Sequence, residues 1–146
     1  MVTLERIDHV GIAVVDLEAA IAAYTRLSGR GPSHRSSVES DGVEAVMFEV
    51  GESRIELLGA TRPDSKISRF LERHGGGLHH VAYGVPDVQV ALDHYSSLGL
   101  RLLDSAPRPG AAGRLVAFLH PDAAAGVLTE LCQSPSPGGR SAARQL

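Results

Sequence analysis

Apolar runs of period two alternate with segments of helical period along this chain, and the whole alternation occurs twice. Residues 5–14 read as a strand around His9, rich in β-branched and apolar positions. Asp16 is placed to cap a helix across Leu17–Arg26, where Leu17, Ala20, Ile21 and Tyr24 recur at helical spacing. Gly29-Arg30-Gly31-Pro32 ends it. A strand over roughly 33–39 follows, then a hairpin turn at Ser40-Asp41-Gly42 and strands at Val43–Val50 and Arg54–Leu58. The first unit is therefore β-α-β-β-β.

A short helix carrying Ile67, Phe70 and Leu71 on one face leads to the run Gly75-Gly76-Gly77, where the pattern starts again. A strand at 78–85 precedes a helix from Asp87 to about Leu98, with Gly99 as its C-cap. A strand near 100–104, a Pro/Gly loop at 107–113 and strands at Arg114–His120 and Val127–Cys132 complete the second unit. Sliding the chain by 71 residues sets His9 on His80, Val14 on Val85, Asp16 on Asp87 and Tyr24 on Tyr95. A half-chain period that preserves a histidine indicates duplication of one structural unit. The expectation is a single α+β domain over residues 1–133, with modules at about 5–60 and 76–133. Residues 134–146 have the Ser/Pro/Gly composition of a flexible tail.

Composition narrows the function classes. Of the 146 residues, 43% are hydrophobic and 21% charged, an ordinary globular balance. The formal charge of -3 offers no footprint for nucleic acid, and 4% aromatics with no Trp make a poor base-stacking platform. Cys132 is the only cysteine, so an internal disulfide is excluded and a reducing compartment fits. There is neither a signal-peptide pattern at the start nor an apolar run of membrane-spanning length. These features predict a cytoplasmic protein with no membrane or nucleic-acid partner.

Each unit offers a histidine on its first strand and a glutamate on its last: His9 with Glu56, and His80 with Glu130. Both glutamates lie in apolar strands, where an unpaired carboxylate is costly to bury. Carboxylates in such places are paired or bound to metal. Two imidazoles and two carboxylates make a mixed nitrogen–oxygen set for a divalent first-row ion, with coordination positions left open for a Lewis-acid role. His34, His74 and His94 fall in loop or exposed helical contexts, and His120 before Pro121 fits a turn. Strand alternation sends His79 to the face opposite His80. The glycine run is no phosphate loop, since it lacks the Lys-Ser/Thr pair and precedes a strand. Cys132 reads as a small buried hydrophobe.

These segments resemble the methylmalonyl-CoA epimerases of the vicinal-oxygen-chelate superfamily. The matching stretches are Ile7-Asp8-His9-Val10-Gly11-Ile12-Ala13-Val14, Ile55-Glu56-Leu57-Leu58 and Gly77-Leu78-His79-His80-Val81-Ala82. Phe118-Leu119-His120-Pro121 and Gly126-Val127-Leu128-Thr129-Glu130-Leu131 are more particular to the epimerases. The resemblance implies two tandem βαβββ modules curling an eight-stranded sheet around a metal held by His9, Glu56, His80 and Glu130. It implies Co2+ or Mn2+ ahead of Ni2+, Zn2+ or Mg2+, an acyl-CoA substrate and a homodimer. The implied reaction interconverts the two forms of methylmalonyl-CoA, or of a related 2-substituted malonyl-CoA, by 1,1-proton transfer through a metal-stabilised enolate. Another isomerase of the glyoxalase type, or a non-catalytic small-molecule-binding or resistance protein, would share the same architecture.

Two positions depart from the family pattern. Ala45 stands where some members carry a glutamate thought to be the base, and Glu44 precedes it by one residue. That offset points a strand side chain to the other face. The base then falls to Glu130, with Glu44 in reserve if a bulge after Gly42 turns it inward. Asp122 replaces the usual lysine after His-Pro.

Overall fold

The computed structural model describes residues 1–133, and the tail expected over 134–146 lies outside the described residues. Eight strands form one curled mixed sheet: β1 (Arg6–Ala13), β2 (His34–Val38), β3 (Val43–Val50), β4 (Ser53–Ala60), β5 (Gly77–Val85), β6 (Arg108–Pro109), β7 (Leu115–Leu119) and β8 (Thr129–Gln133). Their order across the sheet is β2-β3-β4-β1-β5-β8-β7-β6. The two halves of that order mirror each other. Within each module the first strand pairs in parallel with the last, β1 with β4 and β5 with β8, and the modules join through an antiparallel β1–β5 ladder. The tandem βαβββ architecture is the vicinal-oxygen-chelate fold.

Among the described residues three α-helices accompany the sheet: α1 (Leu17–Ser28), α2 (Lys66–His74) and α3 (Val88–Ser97). The duplication extends to their caps. Asp16 Oδ1 accepts the Ala19 N–H at 3.0 Å, and Asp87 Oδ1 accepts the Val90 N–H at 3.1 Å. Each cap satisfies an otherwise orphaned first-turn donor. Helix α1 lays Leu17, Ala20, Ile21 and Tyr24 on Val46, Phe48 and Leu57 of the first module's sheet. In the second module, Val88, Ala91 and Leu92 of α3 cover Ala117, Leu119 and Leu131. Alternation along β3 and β4 turns Ala45 and Leu58 to the opposite face, where α2 contributes Ile67. That concave face holds the cavity described below.

Three local expectations change. The strand near 100–104 reduces to a single bridge between Leu102 and Leu119, and the second module's edge strand is β6, inside the segment read as loop. The reason is Asp104, whose Oδ2 accepts the Phe118 N–H at 2.8 Å and so replaces the ladder bond a strand would supply. Gly99 follows the cap rather than forming it: Leu98 caps α3, and Gly99 takes the left-handed φ of 80° behind it. The turn at Ser40-Asp41-Gly42 is one turn of 3-10 helix over Glu39–Asp41, closed by Gly42 at φ 65°.

Phe48 is fully buried beneath α1. Truncation to alanine should cost about 3–5 kcal/mol, as transfer and cavity terms add. Urea denaturation of Phe48→Ala against the parent chain measures it.

Candidate metal centre

The site is built from two rows of cross-strand neighbours. In one row His80 on β5 lies opposite Gly11 on β1, which is paired with Glu56 on β4. In the other His9 on β1 lies opposite Ala82 on β5, which is paired with Glu130 on β8. Side chains in such a row share one face of the sheet. In both rows the residue between imidazole and carboxylate is small, and this is required. A Cβ added at Gly11 would sit 2.1 Å from Cε1 of His80 and 2.4 Å from its Nδ1. The glycine is the space through which the imidazole reaches the glutamates.

One donor atom from each of His9, Glu56, His80 and Glu130 falls within 4.8 Å of all the others. The two Nε2 atoms are 3.2 Å apart. Glu130 Oε2 stands 2.9 Å from His80 Nε2 and 3.5 Å from His9 Nε2, and Glu56 Oε1 stands 3.4 and 3.5 Å from them. All four residues are buried. Burial opposes charge on His9, but Asp8 and Glu130, with help from Glu56, raise its pKa to about 10. His80 is likewise raised to about 9 by Glu130 and Glu56 against the pull of burial. For Glu130 burial acts upward and is overcome by His80 and His9, which keep the carboxylate ionised. The two carboxylates thus draw positive charge to the point where the two Nε2 atoms converge. The donor set, two imidazoles and two carboxylates, fits a divalent ion.

Behind the donors the two modules differ. The β1–β5 ladder carries two register shifts: one leaves Asp8 without a partner in the pairing, the other His79. Asp8 and His79 are equivalent under the 71-residue repeat. A bulge re-aims the side chain it releases. Asp8 Oδ2 accepts from His9 Nδ1 at 2.8 Å, which leaves Nε2 turned to the centre and available as a donor atom. Three guanidiniums hold that buried carboxylate: Arg6 at 2.9 Å, Arg54 at 2.7 Å and Arg114 at 2.8 Å. Burial would raise the Asp8 pKa, but His9 and the arginines hold it far below the usual carboxylate range. His79 is the correction on the other side. The bulge returns it to the concave face, with Nδ1 at 3.0 Å from Nδ1 of His80. Burial and the neighbouring His80 push its pKa down to about 4, so it is neutral.

Glu56, His80 and Glu130 of the centre line a cavity of about 290 Å³. Ala45, Leu58 and Ile67 give that cavity an apolar side, and Lys66 and Arg69 of α2 a basic one. Glu44 lies on the opposite face of β3, paired with Arg35, and β3 pairs without interruption with β2 over Val43–Met47 and with β4 over Val43–Val50. Asp122 is outside the cavity lining, in the turn that His120 caps through Nδ1. His34, His74 and His94 stand apart from the centre, and Cys132 is buried, its thiol pushed up to about 12. Asp8, Gly11 and His79 were missed from sequence. Their signal was present, since each adjoins or faces a histidine in the duplicated motif.

Residues 8–118 match the glyoxalase/bleomycin resistance protein/dioxygenase superfamily. The ethylmalonyl-CoA/methylmalonyl-CoA epimerase of Cereibacter sphaeroides is 40% identical over 130 residues, covering 88% of this chain and 97% of that protein. The chain belongs to the methylmalonyl-CoA epimerase family of this superfamily. It is an isomerase of the epimerase type. Another member, the human mitochondrial methylmalonyl-CoA epimerase, is 37% identical over 132 residues, covering 90% of this chain and 75% of its own. A Streptomyces coelicolor methylmalonyl-CoA epimerase variant in complex with 2-nitronate-propionyl-CoA superposes with a TM-score of 0.87 at 38% identity, covering 92% and 97% of the two chains.

Because the His80 ring occupies the space of a missing Cβ, Gly11→Ala should displace that imidazole and weaken Co2+ binding about 10–100-fold, the range seen when a ligand is mis-set. Calorimetric titration with Co2+ checks this, and unchanged affinity would remove the steric argument.

Proposed function

We propose that the chain interconverts the epimers of methylmalonyl-CoA, or of a close 2-substituted malonyl-CoA, by moving a proton at the α-carbon. The observation that carries this reading is that Glu56, His80 and Glu130 of the four-residue centre line a cavity with one apolar and one basic side. The small apolar side, at Ala45, Leu58 and Ile67, suits the 2-alkyl group. Lys66 makes no ion pair among the described residues, and with Arg69 it suits the coenzyme's phosphates. The relatives named for this activity match nearly the whole described chain.

A divalent ion held by His9, Glu56, His80 and Glu130, Co2+ or Mn2+ by preference, would supply positive charge to offset the negative charge that develops on an enolate oxygen. The protein's own part is proton transfer. Glu130 engages the imidazoles through Oε2 and is ionised, the state required of a base. Its other oxygen takes the α-proton as the C–H pair shifts into the thioester carbonyl. Among the carboxyls lining the cavity, Asp41 is paired with Arg108 and Asp64 with Arg62. Glu56, from the other module, relays a proton taken up from solvent to the opposite face of the α-carbon, and Glu130 releases to solvent the one it took. Return of a proton there completes the inversion with no net redox change. The same reading includes a two-fold homodimer, the commonest closed assembly, in the cytoplasm.

The decisive experiment is deuterium wash-in at the α-carbon of methylmalonyl-CoA in D2O with Co2+. Glu130→Gln should lower exchange at least a hundredfold, roughly the lower end for general-base loss, and weaken metal binding too. Glu44→Gln should leave both nearly unchanged. A large fall in rate for Glu44→Gln with metal retained would make Glu44 the base. Sedimentation velocity should give a dimer, and a monomer at every concentration would remove that part of the reading.

A further inference from the structure

The repeat equates Asp8 with His79, yet the two bulges deliver opposite chemistry to the centre. Asp8 offers an anion, compensated by three arginines, to Nδ1 of His9. His79 offers an imidazole nitrogen to Nδ1 of His80. If Nε2 of His80 is the ligand atom, its proton sits on Nδ1. The 3.0 Å contact is then one hydrogen bond, with His80 Nδ1–H donating and His79 Nδ1 accepting. An imidazole that accepts at Nδ1 carries its own proton on Nε2. That nitrogen has no hydrogen-bond partner among the described residues and is not sealed in the interior. The ring lines the cavity and is set edge-on against Phe70, with centroids 4.8 Å apart and planes at 81°.

We propose that His79 is a positioning and substrate-binding residue: its Nδ1 locks His80 in the tautomer that frees Nε2 for the ion, and its Nε2–H donates to an oxygen of the malonyl group. The second half rests on the acyl-CoA reading above; the first half does not. The duplication thus has an asymmetric result. Asp8 can only accept and is enclosed by arginines, so the first module's partner supports its ligand alone. His79 both accepts and donates, so the second module's partner links the ligand to whatever occupies the cavity. A carboxylate at 79 would reproduce the support and abolish the donation, which separates the two roles.

The test uses the zinc-loaded full chain, which is diamagnetic. Nitrogen-15 NMR of the unmutated protein should show His80 protonated at Nδ1 and His79 protonated at Nε2 only. The opposite His79 tautomer overturns the proposal without reference to any variant. His79→Asp should hold zinc within about threefold of the parent, as Asp8 does for His9. His79→Phe keeps a ring on Phe70, lacks the acceptor, and should lose about 10–100-fold in zinc affinity. Both variants should raise the KM for methylmalonyl-CoA about five- to tenfold, the size of one lost neutral hydrogen bond. Zinc affinity unchanged in His79→Phe overturns the positioning role, and an unchanged KM in His79→Asp overturns the donation. If the parent chain exchanges no α-proton while the tautomers and zinc affinities come out as stated, the epimerase reading fails and the positioning role stands.

Discussion

The antiparallel ladder between β1 and β5 is the constraint from which the site follows. It sets Gly11 against His80 and Ala82 against His9, so each imidazole crosses the seam toward the other module. The parallel ladders then bring Glu56 beside Gly11 and Glu130 beside Ala82. No donor depends on a loop for its position. Rigid strands hold all four, which suits a site whose geometry must be accurate to fractions of an ångström.

Such a site has a large electrostatic cost. Two carboxylates and two imidazoles are taken out of water, and an unpaired charge there would favour its neutral form or unfolding. Compensation is arranged in two layers. The imidazoles face the carboxylates directly, and behind His9 the buried Asp8 is offset by Arg6, Arg54 and Arg114. Arg54 comes from β4 of the first module, and Arg114 lies just before β7 of the second. The same cluster that orients His9 therefore also ties the modules together. Arg114 is anchored within its own module by donating to the carbonyl of Gln133 at 2.9 Å.

The apolar side of the cavity and the location of charge near it both come from strand parity. On β3, Ala45 faces the cavity and Glu44 faces Arg35 on the outside. Along a regular strand this is fixed by the pleat, and β3 has no bulge to reverse it. On β1 and β5 the bulges do reverse it, for one residue each. That difference explains why alternation gave the right face for Glu44 and the wrong one for His79.

The sequence by itself determined the duplication, most of the order of elements, the helix caps and the His9, Glu56, His80 and Glu130 set that clusters, because these depend on local period and on residue type. Asp16 and Asp87 cap their helices wherever the helices pack, and a glutamate in an apolar strand needs a partner in any fold. What only the tertiary structure decided were matters of register between distant strands. Arg54 and Arg114 meet Asp8 across 46 and 106 residues of chain. The bulges at Asp8 and His79 leave no periodic mark, since a one-residue slip in pairing changes which face a side chain occupies without changing the sequence around it. The loss of the strand near 100–104 has the same origin. Asp104 ends that pairing only because the fold brings the Phe118 N–H to its carboxylate.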